Sequence, residues 1–373
     1  MRIGKITENA LKRSVLKLIR TEYKNVKSAA VGSDCAFSND GKCFSAVCPV
    51  TCSISDGAFY AVSKAVNSLV AQGIKPDHFT ASILLPADAD EGQLKDIVRH
   101  AIEAGRFLEV PYSGGHTEVT TAVTRPVVTV HAAGYMPLQG KVNAVGYLPS
   151  QGAVSEKAAD CDKDRGKECR PGAFGICNAA PHAGQALVVT KWIALEGTAI
   201  LAGEKKAELA TRYPVPFIED AMGFKRLIDV RPEAGAVAEF LSSPASRDSE
   251  AGSEEKSLAV HDISSGGVFA ALWELAERAG CGLEADLRAI PIRQETIEVC
   301  EFLGVNPYLL TSAGSLLIAC DHEEELMERL AVRGINAAVI GHLREGNERI
   351  LRNDDETRFL DMPQADELVK VFS

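Results

Sequence analysis

Three short strings combine glycine with hydroxyl, carboxylate or imidazole side chains, and such strings can bind an oxyanion or a metal ion. They are VGSDCA from Val31 to Ala36, SGGHTEV from Ser113 to Val119, and VHDISSGG from Val260 to Gly267. Adjacent glycines let the backbone approach a ligand closely, and the N–H groups of a helix's first turn bind anions. Carboxylates can hold a hard metal ion such as Mg²⁺. Each string predicts a polar binding site, and each also has a purely structural interpretation.

The SGGHTEV string has a double glycine followed by a titratable side chain. Gly114 and Gly115 could cradle a phosphate, with His116 as a general base, a phosphate donor or a structural hydrogen-bonding residue. The string follows a helical pattern and precedes a strand pattern, so a tight turn with solvent-facing polar residues is the alternative. The sequence is compatible with both.

The VHDISSGG string marks the point where a strand runs into a helix. Ser264 or Ser265 could cap that helix, whose first turn would bind an anion, and Asp262 could hold a metal ion or a donor. The alternative is capping alone, with glycines that allow close packing of helix on sheet. His261 is expected to hydrogen-bond at this strand–helix corner. Asp34 in VGSDCA also has two interpretations, since a lone aspartate in a Gly/Ser turn is usually a turn former.

Helical and strand patterns alternate along both halves of the chain and would position these strings. Leu94 to Ile102 have the spacing of an amphipathic helix that Gly105 can end, and Phe79 to Leu85 alternate as a strand. The alternation restarts after Leu187 and includes a helix from Val268 to Ala279. The pattern predicts an α+β or α/β protein in two halves of similar size.

The length and charge of the chain bound its organisation. It has 373 residues, 46% hydrophobic and 24% charged, with a formal net charge of −11. At ~150 residues per domain, this length predicts two domains. The acidic balance argues against binding to nucleic acid or an anionic membrane, because both need concentrated Lys and Arg. No apolar run approaches the ~18 residues of a membrane span, and the first residues lack a signal peptide's apolar core, so we expect a cytoplasmic protein with reduced thiols.

Two stretches interrupt the alternation. Residues 139–184 are rich in Gly, Lys, Asp and Pro, and residues 242–257 are rich in serine. We expect the first to be a linker or insertion and the second to be a mobile surface loop, since neither has the apolar side chains of a core. The predicted domains are then 1–138 and 185–350, followed by a tail of residues 351–373.

The cysteines are candidates for metal binding, redox activity or nucleophilic catalysis. Cys161, Cys169 and Cys177 lack the C-x-x-C pairs of zinc or iron–sulfur sites, so we expect solvent-facing reduced thiols there. A thiolate at Cys52 could be a nucleophile if His116 or a helix N-terminus lowered its pKa. Four cysteines crowd the N-terminal half and could form a redox or soft-metal cluster or fill a core as small residues: Cys35, Cys43, Cys48 and Cys52.

Taken in order, these strings resemble the aminoimidazole ribonucleotide (AIR) synthase superfamily. The series runs GSDCA, a strand ending at Thr51, VNSLVAQGIKP, SGGHTEV, LEGTAILA and VHDISSGG. The stretch from Ile290 to Cys320 is similar to the family's second domain, and the resemblance is to AIR-synthase-related proteins close to the hydrogenase maturation factor branch. It implies an α+β fold of two domains. The N-terminal domain would have a mixed sheet, the dimer interface and the ATP groove, and the C-terminal domain would also be α+β.

The resemblance further implies transfer of phosphate from ATP to an amide-like or thiocarbamate oxygen of a small molecule. The implied assembly is a homodimer with ATP and Mg²⁺ in a groove along its interface. Asp34 corresponds to the family's metal-binding acidic turn, and His116 and Asp262 are the candidate catalytic residues. The residues assigned to nucleotide or phosphate binding are Asp34, Thr51, Asn67, Gly114, Gly115, Thr117, Ser264, Ser265, Gly266 and Gly267.

Several departures from the family pattern bear on activity. Family acidic positions fall at Cys52 and Ser68, and neither side chain is a good Mg²⁺ ligand. Two lost charged contacts would weaken Mg·ATP binding roughly 10²- to 10⁴-fold. The last cysteine is Cys320, so we do not expect the cyanide-ligand synthesis that uses a terminal cysteine. The prediction is an ATP-dependent ligase, kinase or dehydratase, and the alternative is a non-catalytic dimer that binds a nucleotide or metabolite.

Overall fold

The computed structural model describes residues 3–23, 29–38, 40–135, 179–243, 256–362 and 365–372. These residues form two α+β domains, which confirms the predicted fold class. Most of the two irregular stretches, 139–184 and 242–257, lies outside the described residues, and so do Cys161, Cys169 and Cys177.

The N-terminal domain contains a five-stranded mixed sheet. Its strands are β1 (Ala36–Phe37), β2 (Cys43–Val50), β3 (Lys75–Leu85), β4 (Tyr112–Val119) and β5 (Val127–Tyr135). They lie in the order β1-β2-β5-β3-β4, and β3 runs parallel to β4 while the other pairs are antiparallel. The alternation predicted for β3 is confirmed, because Phe79, Ala81, Ile83 and Leu85 are all buried.

The described residues of the N-terminal part include four α-helices. They are α1 (Glu8–Leu11), α2 (Lys17–Glu22), α3 (Gly57–Ala71) and α4 (Glu91–Leu108), with a π-helical segment at Lys12–Leu16 between the first two. Helix α4 is the predicted amphipathic helix, but it does not end at Gly105. A Cβ on Gly105 would lie 3.1 Å from the Phe79 ring and 2.7 Å from the Val110 carbonyl oxygen, so this glycine serves close packing inside the helix.

The C-terminal domain contains a seven-stranded sheet. Its strands are β6 (Ala186–Thr190), β7 (Leu258–Ile263), β8 (Gly282–Asp286), β9 (Ser315–Cys320), β10 (Ala337–Arg344), β11 (Arg349–Asn353) and β12 (Glu356–Phe359). They lie in the order β12-β11-β8-β10-β6-β9-β7. Every residue of β6, β9 and β7 is buried, so this end of the sheet lies in the interior even though β7 is its last strand.

Helices cover this second sheet and reach the first domain. They are α5 (Leu195–Glu204), α6 (Lys206–Leu209), α7 (Val215–Met222), α8 (Arg231–Ser242), α9 (Gly267–Ala279), α10 (Gln294–Leu303), α11 (Glu323–Val332) and α12 (Leu368–Phe372), with a 3-10 helix at Gly223–Leu227. Among the described residues, no helix combines the length and apolar character of a membrane span.

The two domains share one hydrophobic core along α3. Nearly every residue of α3 is buried, and Val66 of α3 belongs to the same cluster as Val260 of β7. Arg231 fastens the junction by donating to the Leu108 carbonyl at 2.9 Å and the Phe107 carbonyl at 3.0 Å. The junction is therefore a packed interior that holds any polar group there in a fixed position.

Candidate functional site

The candidate site lies at the domain junction, where α3 faces the corner between β7 and α9. Lys64 extends from α3 into this corner and is only 6% exposed. Its Nζ donates to Ser265 Oγ at 2.8 Å and to Thr311 Oγ1 at 3.2 Å, and it lies 3.3 Å from Glu196 Oε1. Glu196 Oε2 accepts from the Thr311 hydroxyl at 2.5 Å and from the Ala313 N–H at 3.1 Å. The result is a buried ion pair with two hydroxyl groups fixed beside it.

Lys64 stays charged despite its burial. Burial alone would lower the pKa of this ammonium group, but the adjacent Glu196 carboxylate more than offsets that effect and raises the pKa above its ordinary value. Removing either partner would leave an uncompensated charge in the interior, which is strongly destabilising. We therefore regard the pair as a permanent electrostatic feature of the junction.

A second buried network ties the VGSDCA turn to the same corner. His261 Nδ1 lies 2.7 Å from Asp34 Oδ1, and His261 Nε2 lies 3.2 Å from Glu274 Oε2 on α9. Asp34 Oδ2 accepts from Gln72 Nε2 at 2.6 Å. Burial alone would lower the pKa of His261, but Asp34 and Glu274 raise it to about 10, so the imidazole is protonated at neutral pH. The expected hydrogen bond of His261 at the strand–helix corner is confirmed.

Asp262 and Asn67 each carry a buried oxygen with no hydrogen-bond donor within the described part of the chain. Asp262 Oδ2 accepts from Ser68 Oγ at 3.2 Å, while Oδ1 has no donor. Asn67 Nδ2 donates to the Ile228 carbonyl at 2.8 Å, while Oδ1 has no donor. Burial and the charge of Asp34 raise the pKa of Asp262 well above its ordinary value. Since buried acceptors normally have donors, these two oxygens are exceptions that a functional role would explain.

The turn from β7 into α9 does not use a serine as its cap, contrary to the prediction for Ser264 or Ser265. Gly266 occupies the N-cap position without a side-chain cap, and Gly266 and Gly267 have φ angles of 89° and 66°. A Cβ on Gly267 would lie 2.5 Å from the Tyr308 carbonyl oxygen. The close approach of helix to neighbouring backbone therefore requires glycine here, as the structural alternative proposed.

The SGGHTEV string is itself a strand, so its interpretation as a tight turn ahead of a strand is wrong. It forms most of β4, an exposed edge of the first sheet, where His116 Nε2 lies 3.0 Å from Glu118 Oε2. A Cβ on Gly115 would lie 1.9 Å from the Ala81 carbonyl oxygen, so this glycine permits the pairing of β4 with β3. No atom would meet a Cβ on Gly114 within 4 Å in the described part of the chain. The phosphate cradle stays a prediction for these glycines.

The predicted site residues are divided between two places. Because β1 and β4 are opposite edges of a five-stranded sheet, roughly 19 Å separate them at the usual strand spacing. Asp34 precedes β1, whereas the double glycine, His116 and Thr117 lie on β4. The junction brings together Asp34, Asp262 and the turn Ser264–Gly267. Asn67 lies on α3, three residues after Lys64, and is bonded to the Ile228 carbonyl.

Thr51 and Cys52 follow β2. Thr51 is exposed, and Cys52 is partly buried. Burial and the charge of Asp366 raise the pKa of the Cys52 thiol, and the lowering effect of Lys64 is smaller. Cys52 is therefore a neutral thiol at neutral pH. A nucleophilic thiolate would need a lowered pKa, which is the opposite of the shift found here.

The described residues do not fit a preformed Mg²⁺ site. Among them, no three His, Cys, Asp or Glu side chains cluster as metal ligands. Both carboxylate oxygens of Asp34 are engaged, one by His261 and the other by Gln72. A metal ion would compete with these partners for the Asp34 carboxylate, and the role of Asp34 as a metal ligand stays a prediction.

Sequence reasoning missed the residues that hold the junction together, Lys64, Glu196 and Thr311. One signal was present, because Lys64 is the lone cation in the mostly apolar run FYAVSKAVNSLVA, and a buried cation needs a counter-charge. Glu196 is the second residue of LEGTAILA, one of the strings that resemble the family. The string does not indicate which residue the Glu196 carboxylate contacts.

Comparison with known proteins begins with two family models. The model described as AIR synthase related protein, N-terminal domain, matches residues 18–136, and the model described as AIR synthase related protein, C-terminal domain, matches residues 182–352. Together the matched ranges include the whole first sheet and the second sheet up to Arg352, and they contain Lys64, Glu196 and Asp262 of the junction.

Individual relatives point the same way. The chain is 25% identical over 316 residues to a Methanocaldococcus jannaschii protein named after hydrogenase expression and formation, covering 83% of this chain and 77% of that protein. It is 32% identical over 120 residues to the carbamoyl dehydratase HypE of Rhodobacter capsulatus, covering 30% of this chain and 35% of that enzyme. A hydrogenase maturation protein HypE, solved in complex with ATP, has the same fold, with a TM-score of 0.58, 18% identity, and coverage of 97% of this chain and 96% of that one.

Proposed function

Because the chain belongs to the AIR synthase superfamily, close to its hydrogenase maturation branch, we propose that it binds ATP and phosphorylates or dehydrates a small amide- or carbamoyl-type metabolite. Support comes from the carbamoyl dehydratase among its relatives and from the ATP complex of a protein with the same fold. The observation in this chain that carries the proposal is the buried polar junction, where Lys64 contacts the turn that opens α9 and where Asn67 and Asp262 each have an unsatisfied acceptor.

The junction is suited to a planar amide or carbamoyl group. The unsatisfied oxygens of Asn67 and Asp262 can accept from the N–H groups of such a ligand. The Ser265 hydroxyl accepts from Lys64, so its own O–H can donate to negative charge that develops on the acceptor's oxygen, in a low-dielectric environment where such an interaction is strong. Burial and the charge of Asp34 raise the pKa of Asp262, which suits this carboxyl group to hold a proton for the acceptor. When bound, ATP would supply the phosphoryl group.

A homodimer would complete the proposed nucleotide groove. Within one protomer, β4 and the junction are at separate places, yet the family resemblance assigns nucleotide binding to both. Among the described strands, β4 has a neighbour on one side only, its residues are almost all exposed, and Val119 at its end is 61% exposed. Exposed edge strands are natural pairing surfaces. We therefore propose that β4 of one protomer approaches the junction of its partner.

A non-catalytic dimer that binds a nucleotide or metabolite is the second candidate. It is favoured by the engagement of both Asp34 oxygens and by the absence of a metal-ligand cluster among the described residues. On this alternative the junction would bind a ligand, and no phosphoryl transfer would follow. The weakened Mg²⁺ site is common to both candidates.

Calorimetric titration with ATP, in the presence and absence of Mg²⁺, tests the proposal. We expect ATP to bind under both conditions, with Mg²⁺ changing the affinity by less than about tenfold, since the carboxylates that Mg²⁺ prefers are not clustered here. Asp262→Asn keeps the shape of the side chain and should abolish ATP consumption stimulated by small amides, while the exposed Asp220→Asn should leave it unchanged.

The outcomes separate the two candidates. ATP binding followed by ADP formation with a small amide or carbamoyl compound supports the enzyme. Binding without ADP formation across such compounds favours the non-catalytic dimer. A lack of binding at millimolar ATP contradicts nucleotide use altogether.

A further inference from the structure

A short segment near the end of the chain reaches into the junction. We call it the Asp366 segment, and it comprises residues 365–372. Asp366 Oδ2 accepts from the Gly266 N–H at 2.7 Å, and Oδ1 accepts from the Leu368 N–H at 3.0 Å. The carboxyl group thus lies on the turn that opens α9, directly beside Ser265, whose hydroxyl accepts from Lys64.

Both domains hold the Asp366 segment in place. Glu367 Oε2 accepts from the Asn306 N–H at 3.0 Å on the second domain, and Leu368 is 6% exposed. On the first domain, Arg125 Nη1 donates to the Phe372 carbonyl at 3.1 Å. The segment therefore bridges the two domains and places Asp366 next to Ser265, which Lys64 contacts.

The charges around the turn that opens α9 limit the charge of a ligand that can bind there. Lys64 is already neutralised by Glu196, so the remaining positive character is the N-terminal end of α9 and the Gly266 N–H. Such a position suits one negative charge or a neutral carbonyl oxygen better than a doubly charged phosphate. Burial raises the pKa of Asp366, which is the expected cost of placing its charge in this corner.

We propose that the Asp366 carboxyl occupies the position of the substrate's own carboxyl or carbamoyl group, so that the Asp366 segment is an internal plug that a small planar carboxyl-type ligand displaces. The identification of this ligand as the phosphoryl acceptor rests on the proposed function. The plug itself does not require ATP. A planar group with an sp² oxygen reproduces the hydrogen bond that Gly266 now donates to Asp366.

Acetate and acetamide, titrated into the full chain without nucleotide, test the plug. In protein labelled with ¹⁵N-glycine, the Gly266 amide resonance should shift with either compound, and hydrogen exchange in residues 365–372 should accelerate at the same concentrations. In Asp366→Ala the internal competitor is absent, so the apparent affinity should rise by about tenfold or more. The exposed Asp361→Ala should bind as the unchanged protein does.

Arg125→Ala provides a second variant in case Asp366→Ala folds poorly. Arg125 is exposed and its side chain holds the far end of the segment, so this change should raise affinity in the same direction by a smaller factor. Unchanged affinity in both variants, or a Gly266 shift with inorganic phosphate alone, would overturn the plug. Because no ATP is present, these results are independent of whether the chain binds a nucleotide.

Discussion

The exposed β4 edge and the buried junction are built from the same kinds of residue but behave differently. On β4, His116 is 66% exposed and its partner Glu118 is 51% exposed. At the junction, His261 is 4% exposed and lies between two carboxylates. Exposed pairs contribute little, because water and salt screen them, whereas buried charges must be matched. The comparison teaches that a polar string indicates chemistry only once its burial is known.

Glycines in the two regions have the same structural explanation. Gly115 on β4 and Gly267 on α9 were both candidates for phosphate contact. In each case a Cβ would collide with a backbone carbonyl oxygen, of Ala81 and Tyr308 respectively. Close backbone packing is a sufficient reason for glycine at both positions.

The largest effect is expected from Lys64→Met. The change leaves the Glu196 carboxylate buried without its counter-charge, and we expect the free energy of unfolding to fall by about 3–5 kcal/mol. Urea denaturation measures it. The matched change Lys95→Met removes an exposed pair with Glu91 and should alter stability by no more than about 0.5 kcal/mol. Similar losses in the two variants would remove the contrast between buried and exposed charge.

The next effect concerns pH and His261. The pKa of His261 is raised to about 10 in the folded protein, so its stabilising contribution is complete below the unfolded value near 6.5 and is lost as the pH rises through 10. The groups that face it are Asp34 and Glu274, and Lys5 Nζ lies 3.0 Å from the other Glu274 oxygen. We expect the unfolding free energy to fall by about 1 kcal/mol per pH unit across this window.

Replacement of the two histidines sharpens this prediction. His261→Gln should flatten the pH profile of stability between neutral pH and pH 10, because the titrating group is gone. His116→Gln on β4 should retain the profile of the unchanged protein. A profile that is insensitive to His261 would show that the buried imidazole is not the titrating group.

A smaller effect should follow Gly267→Ala. The φ of 66° and the 2.5 Å approach to the Tyr308 carbonyl should cost about 1–3 kcal/mol of stability, as measured by thermal or urea unfolding. Gly203→Ala is the matched control in helix α5, where a Cβ meets no atom within 4 Å among the described residues. That change should stabilise by about 0.5–1 kcal/mol. Stabilisation in both variants would refute the packing role of Gly267.

The smallest effect on folding is expected from Val119→Lys on β4. A surface change of this kind should alter stability by no more than about 0.5 kcal/mol. A charge on the edge strand should nevertheless weaken edge pairing, so sedimentation velocity should show more monomer. Val332→Lys, at an exposed position on α11, is the control and should leave self-association unchanged. Equal self-association in the two variants would argue against β4 as the dimer edge.

Local sequence patterns predicted much of the fold but fewer of the contacts at the candidate site. The period-2 alternation of β3 predicted its buried face, since every other side chain of a strand points to the same side. The end of α4 was predicted wrongly, because a glycine that packs against Phe79 and a glycine that ends a helix look alike in sequence. The capping serine was predicted wrongly for a related reason, since Ser265 instead accepts a hydrogen bond from Lys64, which lies 201 positions away.

By itself, the sequence determined the alternation of helices and strands, the order of the strings and, through their resemblance, the family and its α+β fold. These properties reside in local periodicity and in residue order along the chain. Only the tertiary structure decided which polar residues meet: Lys64 with Glu196, Asp34 with His261, and Asp366 with Gly266. Such pairings depend on long-range packing that excludes water, and the free energy of a charge or hydrogen bond depends on that exclusion far more than on residue type.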